Sequence, residues 1–250
     1  MTPRDKEGNE TTVHLGSGVF GSCQKKYYKG IPVAVKVFNN LSSSEDVKRE
    51  AAIMAQCIHP SIPHIFGLNL MQKPHFLVSY FYGIGSSSYT LHQALHSQSL
   101  SLSTHSLGKV MLQLCQALQH LHSKQLLHRD IKGDNIILTK SDSGYHPMLI
   151  DFGKSIPISQ APSKRKFLTL FEQDEYRKKH RHIAPEIVIG HPPSFASDIF
   201  SFGVVMSDVS SKVKTESCFL EGQKKCLEKD PKIRCSISYL LVQLERNVTI

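Results

Sequence analysis

The eight residues His128-Arg129-Asp130-Ile131-Lys132-Gly133-Asp134-Asn135 constrain the fold of this chain more than any other stretch. They set carboxylates, cations and an amide between two apolar elements. Upstream, Leu107, Val110, Met111, Leu114, Ala117, Leu118 and Leu121 recur with a 3.6-residue period, which predicts a core helix. Downstream, Ile136-Ile137-Leu138 predicts a buried strand, Ser141-Asp142-Ser143-Gly144 a turn, and Met148-Leu149-Ile150 a returning strand. A surface loop without a task rarely concentrates charge between such neighbours. Five residues separate Asp130 from Asn135, enough for one loop to hold a proton acceptor near a hydroxyl and an amide oxygen near a metal. The hairpin leads into Asp151-Phe152-Gly153 and brings Asp151 back beside Asn135. Two oxygen ligands at the ends of neighbouring strands suit magnesium, which completes its shell with phosphate and water.

The N-terminal third reads differently. Val13-His14-Leu15 predicts a strand entering Gly16-Ser17-Gly18-Val19-Phe20-Gly21, and Lys29-Gly30 turns into the β-branched strand Ile31–Phe38. A dinucleotide fold needs a helix after such glycines, and Ser22 to Tyr28 alternates poorly for one. Gly21 is followed by Ser22-Cys23, so a Walker A loop is excluded as well. What remains is a flexible lid whose backbone N–H groups can approach phosphate. Lys36 lies opposite Val33, Val35 and Val37 and shares its face with the small Ala34, which leaves room for a flat ligand. Ser42 and Glu45 spell a capping box, with Val47, Ala51, Met54 and Ile58 at helical spacing and His59-Pro60 as the stop. Glu50 lies in this helix, either as a solvated carboxylate weakly paired with Arg49 or as a partner for Lys36. Strands over Ile62–Gly67 and His75–Tyr80 follow, then the connector Gly83–Ser88, after which helices dominate. His92 and His96, four residues apart, have no third ligand in the pattern and read as surface.

Composition narrows the function classes. Hydrophobic content of 40% and charged content of 20% over 250 residues are those of a globular chain. No apolar run approaches the roughly 20 residues of a membrane helix, and the polar N-terminus lacks a signal-peptide core. Six cysteines without a C-x-x-C pair indicate reduced thiols, so the expectation is a cytoplasmic chain, with the nucleus open, and no membrane insertion. The net charge of +9 is unevenly spread: residues 154–182 carry eight Lys or Arg against three acids, a net of +5. One basic, loop-like segment without interleaved aromatics fits an acidic ligand or a regulatory phosphate, and argues against nucleic acid.

Taken together, these residues resemble the protein kinase family. The match comprises Gly16/Gly18/Gly21, Val33-Ala34-Val35-Lys36, Glu50, the 128–135 octapeptide, Asp151-Phe152-Gly153, Ala184-Pro185-Glu186, Asp198-Ile199-Phe200-Ser201-Phe202-Gly203 and Arg234, in the family's order. The resemblance implies an α+β, two-lobe fold: one kinase domain over 8–246, with a β-rich N-lobe at 8–82, a mainly helical C-lobe at 83–246, and ATP in the cleft between them. It implies that Leu15, Gly16, Ser17, Gly18, Val19, Phe20, Gly21, Cys23, Ala34, Lys36 and Ile137 contact the nucleotide, with Ser79 at the back. Glu50 would orient Lys36 on the α- and β-phosphates, and Asn135 and Asp151 would hold Mg2+. Asp130 would accept or orient the substrate hydroxyl, and Lys132 would stabilise the transferred phosphoryl group. Lys132, two residues after Asp130, is similar to serine/threonine kinases, which implies protein substrates with Ser or Thr acceptors. Glu186 with Arg234, and Asp198 under the catalytic loop, would be supports. Arg129 is of the type that reads a phosphate set by an activating kinase within 154–182, with Ser155, Ser159, Ser163, Thr169 and Tyr176 as candidates.

Four departures stand out: Cys23 for a common Val, Phe200 for Trp, Lys178-Lys179 for Gly-Thr, and only 36 residues from Asp198 to Arg234. The replaced threonine would ordinarily contact the catalytic Asp and Lys, so the Lys178-Lys179 change motivates a second reading, a nucleotide-binding regulatory pseudokinase. A small-molecule kinase is a third, opposed by Ala184-Pro185-Glu186 followed by a distal Arg.

Overall fold

The computed structural model describes residues 13–18, 21–97, 100–141, 144–163 and 168–249. Five antiparallel strands, β1 (Val13–Gly18), β2 (Gly21–Tyr28), β3 (Ile31–Phe38), β4 (Ile65–Asn69) and β5 (Phe76–Tyr80), form one sheet in the order β1-β2-β3-β5-β4. Lys29 and Gly30, with φ of 50° and 80°, make the two-residue turn whose twist matches the flanking strands. Gly21 has no substitute: its φ is 150°, and a Cβ there would sit 2.0 Å from the Val37 carbonyl oxygen. On β3, Val33 and Val35 are buried, while Ala34 and Lys36 line the cleft. The alternation predicted from sequence is therefore present.

Helix α1 (Ser44–Gln56) carries a capping box one residue later than predicted. Ser43 Oγ accepts from Asp46 N at 3.1 Å, and Asp46 Oδ2 accepts from Ser43 N at 3.0 Å. Ser42/Glu45 and Ser43/Asp46 share one spacing, so periodicity alone could not choose between them. Ser42 Oγ instead bonds Asn39 in the preceding turn. The helix also stops earlier than predicted, at Gln56, which leaves Ile58 beyond its end and 79% exposed. Strand β4 begins at Ile65 and not at Ile62; Pro63 has no N–H for a ladder, and Ile62 goes into the core.

The rest of the chain is mostly helical: β6 (Tyr89–Thr90), α2 (Leu91–His96), α3 (Thr104–Ser123), β7 (Leu126–Leu127), β8 (Ile136–Ser141), β9 (Gly144–Leu149), β10 (Ile156–Pro157), α4 (Leu170–Lys179), α5 (Pro185–Val188), α6 (Phe195–Ser210), α7 (Ser217–Cys226) and α8 (Ile237–Thr249). Strands β6, β8 and β9 form a small sheet, and β7 pairs with β10. All seven stripe residues of α3 are buried, and α3 packs against β9 and α8. One apolar cluster runs through both halves, joining Phe38, Met54 and Leu77 to Leu118, Leu138 and Phe152. Residues 154–182 are not the loop predicted for them, because α4 occupies ten of them. Thr169 and Glu172 cap its start, and Arg177, Lys178 and Lys179 sit at its negative dipole end. Among the described residues, no helix is long and apolar enough to cross a membrane.

Candidate active site

A cleft of about 570 Å³ opens where β1–β3 face the 128–135 loop and the β8–β9 hairpin. Leu15, Gly16, Ser17, Gly18, Gly21, Cys23, Ala34, Lys36, Glu50, Asp130, Lys132, Asn135, Ile137 and Asp151 all line it, as does Ser79. Val19 and Phe20, predicted alongside them, lie outside the described residues. Burial raises the Cys23 thiol to about 11 against the pull of Lys36, so it is an apolar wall and not a nucleophile.

Lys36 is the electrostatic centre of the cleft. Its Nζ lies 2.7 and 2.9 Å from the two carboxylate oxygens of Glu50, and 2.7 Å from Asp151 Oδ1. Of the two readings of Glu50, the structure selects the partner of Lys36. Burial would lower the lysine pKa, but the two carboxylates outweigh it and raise the value. Glu50 responds in the opposite sense to its neighbour Asp151: burial lifts its pKa, and the ammonium counters only in part, whereas Asp151 ends lowered because Lys36 overcomes its burial. Asp151 has a φ of 64°, a conformation that costs a non-glycine residue on the order of 1 kcal/mol and is held by this contact and by Phe152, fully buried in the core.

The 128–135 loop hangs from Asp198, which α6 delivers beneath it. Asp198 accepts from the backbone N–H groups of His128 and Arg129, each at 2.8 Å, and lies 3.2 Å from His122 Nε2. These bonds account for the positive φ of Arg129, 67°. Farther along, the Asn135 side-chain N–H₂ donates to the Asp130 carbonyl at 2.8 Å and to Asp130 Oδ2 at 3.0 Å. That leaves the Asn135 amide oxygen as an acceptor at the cleft, and the Ile150 N–H bond to the Asn135 carbonyl, 2.9 Å, ties it to the Asp151 strand. An amide oxygen and a carboxylate from adjacent strand ends form an oxygen donor set that fits Mg2+, and the Lys36 ammonium on the same cleft wall suits a phosphate oxygen.

Two residues that sequence reasoning passed over also reach Asp130. Lys154 Nζ is 2.9 Å and His182 Nε2 3.2 Å from Oδ1, while Lys132 Nζ is 3.3 Å from Oδ2. Burial would raise the Asp130 carboxyl, but the bonds from His182 and Lys154 and the lysine charges hold it well below the usual carboxylate range. The signal for Lys154 was its position next to Gly153; His182 gave none, because only tertiary packing brings it 52 residues back to the loop. Ser155, a candidate for modification, is buried and donates to the His128 carbonyl at 3.2 Å, whereas Ser159, Ser163 and Thr169 are exposed.

The fold and this cleft define a class, and comparison with known proteins agrees with it. The family model described as "Protein kinase domain" matches residues 10–218, and the chain belongs to that family. Among similar curated proteins are "Probable serine/threonine-protein kinase mkcF" of Dictyostelium discoideum, 29% identical over 232 residues, covering 89% of this chain and 31% of that protein. "Probable serine/threonine-protein kinase kinX" of the same organism is 28% identical over 207 residues, covering 80% and 18%. The "Light-sensor Protein kinase" of Ceratodon purpureus is 29% identical over 224 residues, covering 80% and 17%. The chain thus spans less than a third of the length of these relatives.

Proposed function

We propose that this chain transfers the γ-phosphoryl group of ATP to serine or threonine hydroxyls of proteins. The observation that carries this reading is the convergence of Lys36, Asp130, Asn135 and Asp151 on one cleft, with Lys36 clamped between two carboxylates. Leu15, Ala34 and Ile137 offer apolar faces for an adenine, and the backbone of Gly16 to Gly18 covers the phosphates. Lys36, pointed by Glu50, neutralises the α- and β-phosphates. Asn135 and Asp151 would hold Mg2+, which when bound supplies charge neutralisation on the phosphate oxygens. Asp130 orients the acceptor hydroxyl and takes its proton, and Lys132 stabilises charge on the transferred group. Positioning and charge placement supply most of the rate, because the transition state is loose.

The Ser/Thr assignment is supported by Lys132 two residues after Asp130 and by the relatives named as serine/threonine-protein kinases. An activating phosphate between 154 and 182 is supported by the basic residues there and by Arg129, whose guanidinium donates to the Lys154 carbonyl at 3.0 Å. A reducing compartment, cytoplasm or nucleus, is supported by six free thiols. The test is labelled-phosphate transfer to a generic protein. Wild type is expected to transfer, with Lys36→Met and Asp130→Ala each losing at least ~10²-fold, and with label on phosphoserine or phosphothreonine. Equal incorporation by wild type and Asp130→Ala would overturn the reading and leave a nucleotide-binding scaffold.

A further inference from the structure

The catalytic carboxylate is held by more donors than proton acceptance requires. Oδ2 faces Asn135 and Lys132, and Oδ1 faces Lys154 and His182. The two donors on Oδ1 differ in how firmly they are held. The Lys154 side chain is 42% exposed and reaches the carboxylate from the solvent side on a long, unbranched stem. The His182 side chain is 10% exposed, and its backbone is anchored: Ser201 Oγ on α6 donates to its carbonyl at 2.6 Å. Three residues on, the chain enters α5, where Glu186 is locked to Arg234 at 2.8 Å. His180 is the other titratable group beside the imidazole, 6.1 Å between ring centres. Lys179, which stands where a hydroxyl would be expected, is exposed at the end of α4.

Resting on the phosphotransfer reading, we propose that His182 is a positioning residue: its Nε2–H fixes Oδ1 of Asp130 from a rigid backbone, while Lys154, the exposed donor on the same oxygen, gives way to the acceptor hydroxyl. The proton stays on the imidazole, which orients the carboxylate and leaves proton acceptance to Asp130. A hydrogen bond of this kind acts on orientation, so its loss is felt in turnover and not in nucleotide binding.

The experiment compares His182→Leu and His182→Gln in steady-state transfer, with NMR of ¹⁵N-histidine-labelled protein alongside. His182→Leu is expected to lower kcat roughly ten- to hundredfold with KM for ATP unchanged. His182→Gln, whose amide N–H can reach the same oxygen, is expected to recover most of that loss. In the spectra, Nε2 of His182 is expected to be protonated, and its resonance to move when Asp130 is replaced by Asn. An unprotonated Nε2, or Leu and Gln variants with equal kcat, would overturn the proposal even in an active enzyme. The spectra need no folded His182 variant, so instability of His182→Leu does not rescue the idea. A wild-type chain that shows the bond but transfers nothing would instead sink the phosphotransfer reading, and the positioning role with it.

Discussion

At the scale of single residues, the cleft is a problem in keeping buried charges satisfied. Asp198 shows how it is solved. It is fully buried, which by itself would raise its pKa, yet His122, the charge of His128 and the backbone N–H groups lower it. Replacing it with Asn puts an N–H₂ group where two N–H donors require acceptors. Asp198→Asn is expected to cost roughly 2 kcal/mol or more at pH 7. Because the folded pKa lies below the unfolded one, this stabilisation is fully present above about pH 4 and is lost as the unfolded chain takes up a proton below it. Thermal melts of both proteins from pH 7 to pH 3 should therefore show the gap narrowing with acid. A gap that is constant or widens would contradict the assignment. Residue identity was readable here: Lys36, Asp130 and Asp151 carry chemistry that few other side chains offer. His182 was not readable, since nothing in the sequence distinguishes it from His180 two residues earlier as a partner for a distant carboxylate.

Elements are tied together by one arginine. Arg234, in the turn before α8, forms a two-pronged pair with Glu186 of α5 at 2.8 and 3.1 Å and donates to the Ala196 and Glu228 carbonyls at 2.6–3.0 Å. It thereby joins α5, the start of α6 and the loop after α7. Arg234→Ala strands a buried carboxylate and the Ala196 and Glu228 carbonyls, so a loss of roughly 3–5 kcal/mol is expected. A denaturant midpoint equal to that of wild type would refute the role. Other elements show why boundaries were harder to read than existence. The α3 stripe was unambiguous over two turns and more, while the cap of α1 shifted by one residue between two equivalent Ser/acid pairs. Helix α4 was missed because Leu170 and Phe171, 84% and 76% exposed, face away from any core, so no buried stripe marks it.

For the whole molecule, the sheet contributes Lys36 and the glycine loop, and the helical half contributes Asp130 and Asn135, so a ligand in the cleft bonds both. A non-hydrolysable ATP analogue with Mg2+ at about 100 times its Kd should stabilise the chain by about 2.7 kcal/mol, seen as a rise in Tm, and less so in Lys36→Met. No shift at saturating analogue would argue against nucleotide in this cleft. By itself the sequence determined the strongly patterned elements, the strands around Lys36, helices α1 and α3 and the β8–β9 hairpin, and which residue types are available for chemistry, because periodicity, turn residues and the order of motifs are local properties of the chain. Tertiary structure alone decided which donors share Asp130. The partners Lys154 and His182 come from opposite ends of one segment, and whether each meets the carboxylate depends on how that segment packs against α6, an energy that no local pattern records.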